Sequence, residues 1–196
     1  SFYCPELRGE ADAIKGLPDY QHPVRKNNRK VSEKLDYFSE LVIYLSILAI
    51  AEDPSLVDKY QVEDADRLLF SKEDYEDLCN SEIYKDLISQ SNEIKELLEI
   101  LEGYLQLSQI HELSPFDELL QEKKIEYTAS SEKVSRQKQE VTISWSIPFE
   151  ANVELEEEGK TRECKRQDKL STILSQTTTF KLIVTCKNQR KITKSL

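Results

Sequence analysis

VTISWSIPF, residues 141–149, is where the chain changes its period. Val141, Ile143, Trp145, Ile147 and Phe149 alternate with Thr142, Ser144 and Ser146. Side chains leave a strand on opposite faces in turn, so this spacing of two predicts a half-buried strand that stops at Pro148. The rhythm continues downstream. Ala151–Glu156 alternates through Val153 and Leu155, Glu156–Lys160 supplies a charged turn with Gly159, and Phe180, Leu182, Val184 and Cys186 alternate with polar partners. Residues 127–134 read as a further strand or the end of a helix, and 162–176 carry no single period.

Upstream of residue 138 the period is that of helices. Leu35, Phe38, Leu41, Val42, Leu45 and Leu48 form one stripe. Beyond Leu41 the run LVIYLSILAIA is apolar nearly all round, which predicts burial on several sides. Its eleven residues are too few for a bilayer, which needs about 20. Asp53-Pro54 and Ser71-x-x-Asp74 mark the starts of short helices. From Ser81 to Leu113 apolar residues recur at three and four, with Ile94, Leu97, Leu101 and Tyr104 in a heptad rhythm. A continuous helix there would reach roughly 45–50 Å, with Gly103 as its weak point. Ser114-Pro115 followed by Asp117 and Glu118 opens another helix, so an antiparallel hairpin is expected.

Helices followed by strands define an α+β chain: an N-terminal helical bundle or long helical hairpin, then a small antiparallel β-sheet packed on it. Three regions are expected. Residues 1–30 form a loosely structured arm with Pro and a basic cluster, 31–126 an acidic helical domain, and 127–196 a β-rich region with a basic C-terminal end.

The net charge of -10 is unevenly spread. Residues 52–122 hold twenty acids and five bases, whereas 159–196 hold two acids and ten bases. That asymmetry points to charge-selective contacts rather than to chemistry. The cysteines at 4, 79, 164 and 186 form no CxxC or zinc-type spacing, and no secretory signal is present. Free thiols and an intracellular, cytoplasmic or nuclear, setting are therefore expected. The chain has no Met, which points to a processed or trimmed N-terminus.

Catalytic signatures are missing. The two histidines, His22 and His111, stand without a GxSxG elbow or a reactive-cysteine context, and Cys79 sits among acids that raise a thiol pKa. Glycines at 9, 16, 103 and 159 cannot build a phosphate-cradling loop. Glu63, Asp64 and Asp66, and Glu73, Asp74, Glu76 and Asp77, lack the order of a calcium loop and read as a solvated acidic face. No catalytic, metal or cofactor residue is assigned, and no cofactor is expected.

The chain is expected to be a non-enzymatic protein–protein interaction module, an adaptor or structural subunit of a larger complex. A protein partner or self-association through Ile94, Leu97, Leu101, Tyr104 and Leu105 is expected, with the acids giving specificity. The alternative is a nucleic-acid-associated protein. Its candidate contacts are Arg25, Lys26, Arg29 and Lys30 in the arm, and Arg162, Lys165, Arg166, Lys187, Arg190 and Lys191 near the C-terminus. Few aromatics accompany those bases, and the anionic middle repels a polyanion, so this reading ranks second.

Overall fold

The apolar run after Leu41 does become the central helix of its half of the molecule. In the computed structural model, α1 (Tyr37–Glu52) buries Phe38, Leu41, Val42, Leu45, Ser46 and Ala49. The structure describes residues 5–11, 16–26, 30–63, 66–131, 138–186 and 189–196. They divide into two units, Ser1–Leu119 and Leu120–Leu196.

In the first unit α1 packs against α4 (Asn92–Leu105). Between them lie α2 (Ser55–Lys59) and α3 (Glu82–Leu87), and α5 (Phe116–Lys123) leads out of the unit. Asp53 caps α2 through Oδ1, which accepts from Ser55 N at 3.1 Å and Ser55 Oγ at 2.6 Å. The Asp74 carboxylate reaches back to Ser71 N at 2.7 Å, opening a 3-10 turn at Asp74–Glu76.

The helix expected across Ser81–Leu113 is three pieces: α3, α4 and a 3-10 turn at Ile110–Glu112. Ser81 caps the start of α3, and Ser91 marks the break between α3 and α4. Ser81 Oγ accepts from Tyr84 N at 3.2 Å and Ser91 Oγ from Ile94 N at 3.3 Å, so each starts a new helix. α4 therefore spans about 21 Å rather than double that. A long hairpin is not what forms, since the described residues hold five α-helices, three of them of eight residues or fewer.

Part of the arm expected to be loose is pinned down. His22 is buried at 4% exposure, and its Nε2–H donates to Tyr104 O at 2.7 Å while Nδ1 accepts from Val24 N at 3.2 Å. Its ring meets Phe38 edge-on at 5.2 Å. Tyr20 Oη accepts from Leu68 N at 2.8 Å, and Tyr75 Oη donates to Asp19 O at 2.5 Å. Residues 16–26 thus act as a strap across the helices. A bridge between Ala11 and Lys30 closes the described part of the arm.

The second unit is seven antiparallel strands in two sheets, not one. β1 (Glu126–Ala129), β2 (Gln139–Ser146) and β5 (Gln167–Leu174) form a sheet in the order β1-β2-β5. β3 (Ala151–Glu157), β4 (Lys160–Cys164), β6 (Phe180–Cys186) and β7 (Lys191–Ser195) form the other, in the order β4-β3-β6-β7. Val141, Ile143, Trp145, Ile147 and Leu174 from the first share one core with Val153, Leu155, Phe180, Leu182, Val184 and Ile192 from the second. The apolar faces created by the period-two alternation meet each other, which makes a β-sandwich. β2 pairs with β5 and β3 with β6, so the chain crosses between sheets three times.

Three of the four edge strands carry charge on the core-facing side, the exception being β1, where Tyr127 and Ala129 take those positions. By register, Arg162 on β4 lies opposite Leu155, Asp168 on β5 opposite Trp145, and Lys194 on β7 opposite Leu182. A strand added at such an edge would bury those charges, so these edges resist further pairing.

Candidate functional site

The heptad residues are core. Ile94, Leu97 and Leu101 have no exposure and Tyr104 has 2%, with only Leu105 half-buried. The tyrosine hydroxyl donates to Ser114 O, and burial raises its pKa. Against the expectation that this stripe meets a partner, its amphipathic rhythm is consumed by α1, which α4 covers.

An apolar surface does exist on the opposite side of α1. Ile43 is 39% exposed, Tyr44 41% and Ile47 57%. Together with Glu40 they occupy positions three and four apart, a single stripe along the helix where a surface helix ordinarily carries polar residues. The stripe runs into a groove of about 330 Å³ between α1 and the strap, lined by Gly16, Leu17, Tyr20, Gln21, Arg25, Asp36, Ser39, Glu40 and Ile43. Leu17 is itself 49% exposed. Gln21 Nε2 is buried in the groove wall without a hydrogen-bond partner. Tyr44 is fixed from two sides, by stacking on Phe116 at 5.2 Å and by donating to Glu93 Oε1 at 3.2 Å.

Acids surround this face. Burial, Asp36 and Asp117 push the Glu40 carboxyl up from its usual range. Burial, Glu33, Glu118, Glu40 and Asp117 do the same to Tyr37. At the far end of α1, Glu52 Oε2 accepts from Ser91 N at 3.2 Å. The bases nearby are Arg25 in the groove and Lys34, whose Nζ donates to His111 O and Leu113 O at 2.7 and 2.6 Å.

The bases named for nucleic-acid contact fall into separate places. Arg25 is half-buried in the strap, Lys26 and Lys30 are exposed in the first unit, and Arg29 and Lys187 lie outside the described residues. In the sandwich, strand register brings distant segments to one end. Trp145 Nε1 donates to Lys165 O at 2.8 Å, Ile147 N donates to Arg166 O at 2.9 Å, and Arg190 Nη2 pairs with Glu122 Oε2 at 2.8 Å. Lys165, Arg166, Arg190 and Lys191 thus share that end with Lys123 and Lys124, two bases that sequence reading did not single out. Glu122, Glu126 and Glu150 offset part of their charge. Arg162 lies further along β4, on its exposed edge.

No family model, curated protein or solved structure matches the chain. Its chemistry has to be read from the residues alone. His22 has both ring nitrogens committed to backbone partners and its pKa lowered by burial, so it has no position left to accept a substrate proton. Cys79 and Cys164 are free thiols. Among the described residues, no three His, Cys, Asp or Glu side chains come together to hold a metal ion. Among the same residues, no helix is long and apolar enough to cross a membrane.

The polar basin lined by Lys59, Tyr60, Gln61, Arg67, Ser71, Asp74 and Glu82 is a closed charge network. Lys59 bridges Glu82 at 3.1 Å and Asp86 at 2.7 Å, and Tyr60 Oη donates to Asp86 Oδ2 at 2.6 Å. Its charges satisfy one another and hold α2 to α3.

Proposed function

We propose that this chain is a non-enzymatic protein-interaction module, an adaptor or structural subunit of a larger assembly, and that it docks through the outward face of α1. One observation carries the reading: Ile43, Tyr44 and Ile47 stand exposed on a helix whose opposite face is buried, beside a groove that contains Leu17. Large side chains clustered on a rigid helix, and not scattered singly, mark an association surface. The acid rim supplies selectivity.

Ile47→Glu tests it. The side chain is mostly in solvent, so the helical circular-dichroism signal and the unfolding midpoint should stay within about 0.5 kcal/mol of wild type. Proteins retained by the immobilised wild-type chain should be lost on the variant. Equal retention by both chains would refute the reading.

A second reading, nucleic-acid association, draws on the convergence of Lys123, Lys124, Lys165, Arg166 and Lys191 at one end of the sandwich. Phosphate contacts of that kind make binding steeply salt-dependent. Labelled duplex DNA and single-stranded RNA should bind at low salt, and Lys165→Glu with Arg166→Glu should abolish the binding. No binding at micromolar protein removes this reading.

A further inference from the structure

Resting on the docking role of α1, we infer that the occupant of its outward face is an amphipathic helix with a basic rim. Two observations, one of shape and one of charge, define that partner.

The shape is a helical ridge. Ile43 and Ile47 are one turn apart, Tyr44 stands beside them with its ring held by Phe116, and the groove at Ile43 receives a large side chain. A second helix crossing such a ridge seats apolar residues at three- and four-residue spacing into the gaps between them, which is how helices pack in general. An extended strand has no edge to pair with here, because the backbone of α1 is spent on its own hydrogen bonds.

The charge selects the sign of the rim. Asp36 and Glu40 line the groove, Glu93 holds Tyr44, and burial, followed by Asp36 and Asp117, raises the Glu40 carboxyl. Arg25 is the one base in the groove lining. Residues 1–119 as a whole carry twenty-six acids against twelve bases. Lysines or arginines flanking the apolar face of the occupant would relieve that repulsion.

The same charge argues against a second copy on this face. An isologous contact would set one acidic rim against another. The cationic end of the sandwich in a second copy matches in charge but brings no apolar anchor. The exposed large apolar side chains described in the sandwich are Ile173 and Leu196, and both lie toward the opposite end of the strands. An anionic membrane surface is repelled for the same reason as a second copy.

Three designed peptides of equal length test this by fluorescence anisotropy with the full chain. The first is helical, with Leu at three- and four-residue spacing and Lys on the flanks. The second keeps the Leu positions and replaces Lys by Glu. The third keeps the Lys and replaces Leu by Ser. The first should bind at least about tenfold more tightly than either of the others. Added salt should weaken it, Ile47→Glu should abolish it, and Glu40→Lys with Glu93→Lys should weaken it several-fold while improving the second peptide. If the second peptide binds as well as the first and both are lost on Ile47→Glu, the docking face stands and the basic rim is wrong. If the third binds as well as the first, or Ile47→Glu leaves binding unchanged, the occupant is not held by this face. If no peptide binds while partner retention still depends on Ile47, the helical occupant is refuted and the docking face survives.

Discussion

The two units treat their exposed surfaces in opposite ways. Three of the four edge strands of the sandwich hold a charge at a core-facing position, Arg162, Asp168 and Lys194, so those edges discourage company. The helical unit leaves Ile43, Tyr44 and Ile47 open on its central helix and surrounds them with acids. Charge follows the same division: residues 1–119 carry fourteen more acids than bases, and residues 120–196 four more bases than acids. The sandwich also exposes Ile173 and Leu196, but only the helical unit sets three large apolar side chains side by side on one helix. That difference is the reason the docking face is proposed in the helical half.

The most forceful way to break the comparison is to injure the core of one unit and watch the other. Leu101 is fully buried in α4, and Leu101→Ala should cost about 2–5 kcal/mol. Trp145 is the only tryptophan and lies 3% exposed in the sandwich core, so its fluorescence reports that unit while ellipticity near 222 nm reports the helices. The helical transition should move to lower denaturant and the tryptophan transition should hold its place. Coincident movement of both would mean that the two units unfold as one. Ile47→Ala, by contrast, should move neither midpoint by more than about 0.5 kcal/mol.

The sequence made the class of the molecule legible and its interaction surface illegible, and the reason lies in particular residues. Val141–Phe149 and Phe180–Cys186 announce strands because one of their faces is buried and the other is wet. β5 went unread because it is an edge strand, with Leu174 buried and Leu170 half-buried while Ile173 points outward at 67% exposure. The break between α3 and α4 turned on Ser91 capping a new helix, which apolar periodicity does not register. The run Leu41–Ala51 signals burial all round, and only packing decides which side is left bare. One signal was present: Glu33, Asp36 and Glu40 form a polar stripe, and extending it by one and two turns lands on Ile43, Tyr44 and Ile47.

Removing the guards should make the sandwich resemble the helical unit in being open to partners. Asp168→Val, Arg162→Val and Lys194→Val delete charge at three edges without touching buried atoms of the core. Light scattering should then report growing oligomers at concentrations where wild type stays constant, with thioflavin fluorescence rising if the edges pair. A triple variant that stays at wild-type mass would show that these charges do not protect the edges.

Acid should loosen the helical unit first. His22 is held neutral, because burial opposes its charge and its Nδ1 accepts from Val24 N. The unfolded chain gains a proton near the ordinary imidazole value of 6.5 while the folded chain does not, so stability present above that pH is lost as the pH falls below it. The loss should approach about 1.4 kcal/mol per pH unit and level off once the folded imidazole also titrates. Glu40 acts with the opposite sign in a lower window, since its raised folded value makes protonation stabilising. Helical ellipticity in fixed denaturant, followed from pH 7.5 to 5.5, should fall in wild type and stay flatter in His22→Gln, while the Trp145 signal changes less. A wild-type profile as flat as that of His22→Gln would rule out the strap histidine as the source.

The smallest effect expected sits in the tightest turn of the sandwich. Glu157 and Lys160 pair across a two-residue loop in which Glu158 and Gly159 have φ of 49° and 79°. Positive φ at both central positions is the type I′ turn that matches the twist of a hairpin, and it favours Asn-Gly over Glu-Gly. Gly159→Ala adds a Cβ that meets nothing within 4 Å, so any cost is backbone strain and not a clash. It should lower the tryptophan-monitored stability by about 1–2 kcal/mol. Glu158→Asn should raise it by a few tenths of that, because asparagine tolerates the left-handed region better than glutamate does. Neither change should alter the helical transition or binding at α1. If Gly159→Ala weakened that binding, the open face and the guarded sandwich could no longer be treated as separate surfaces.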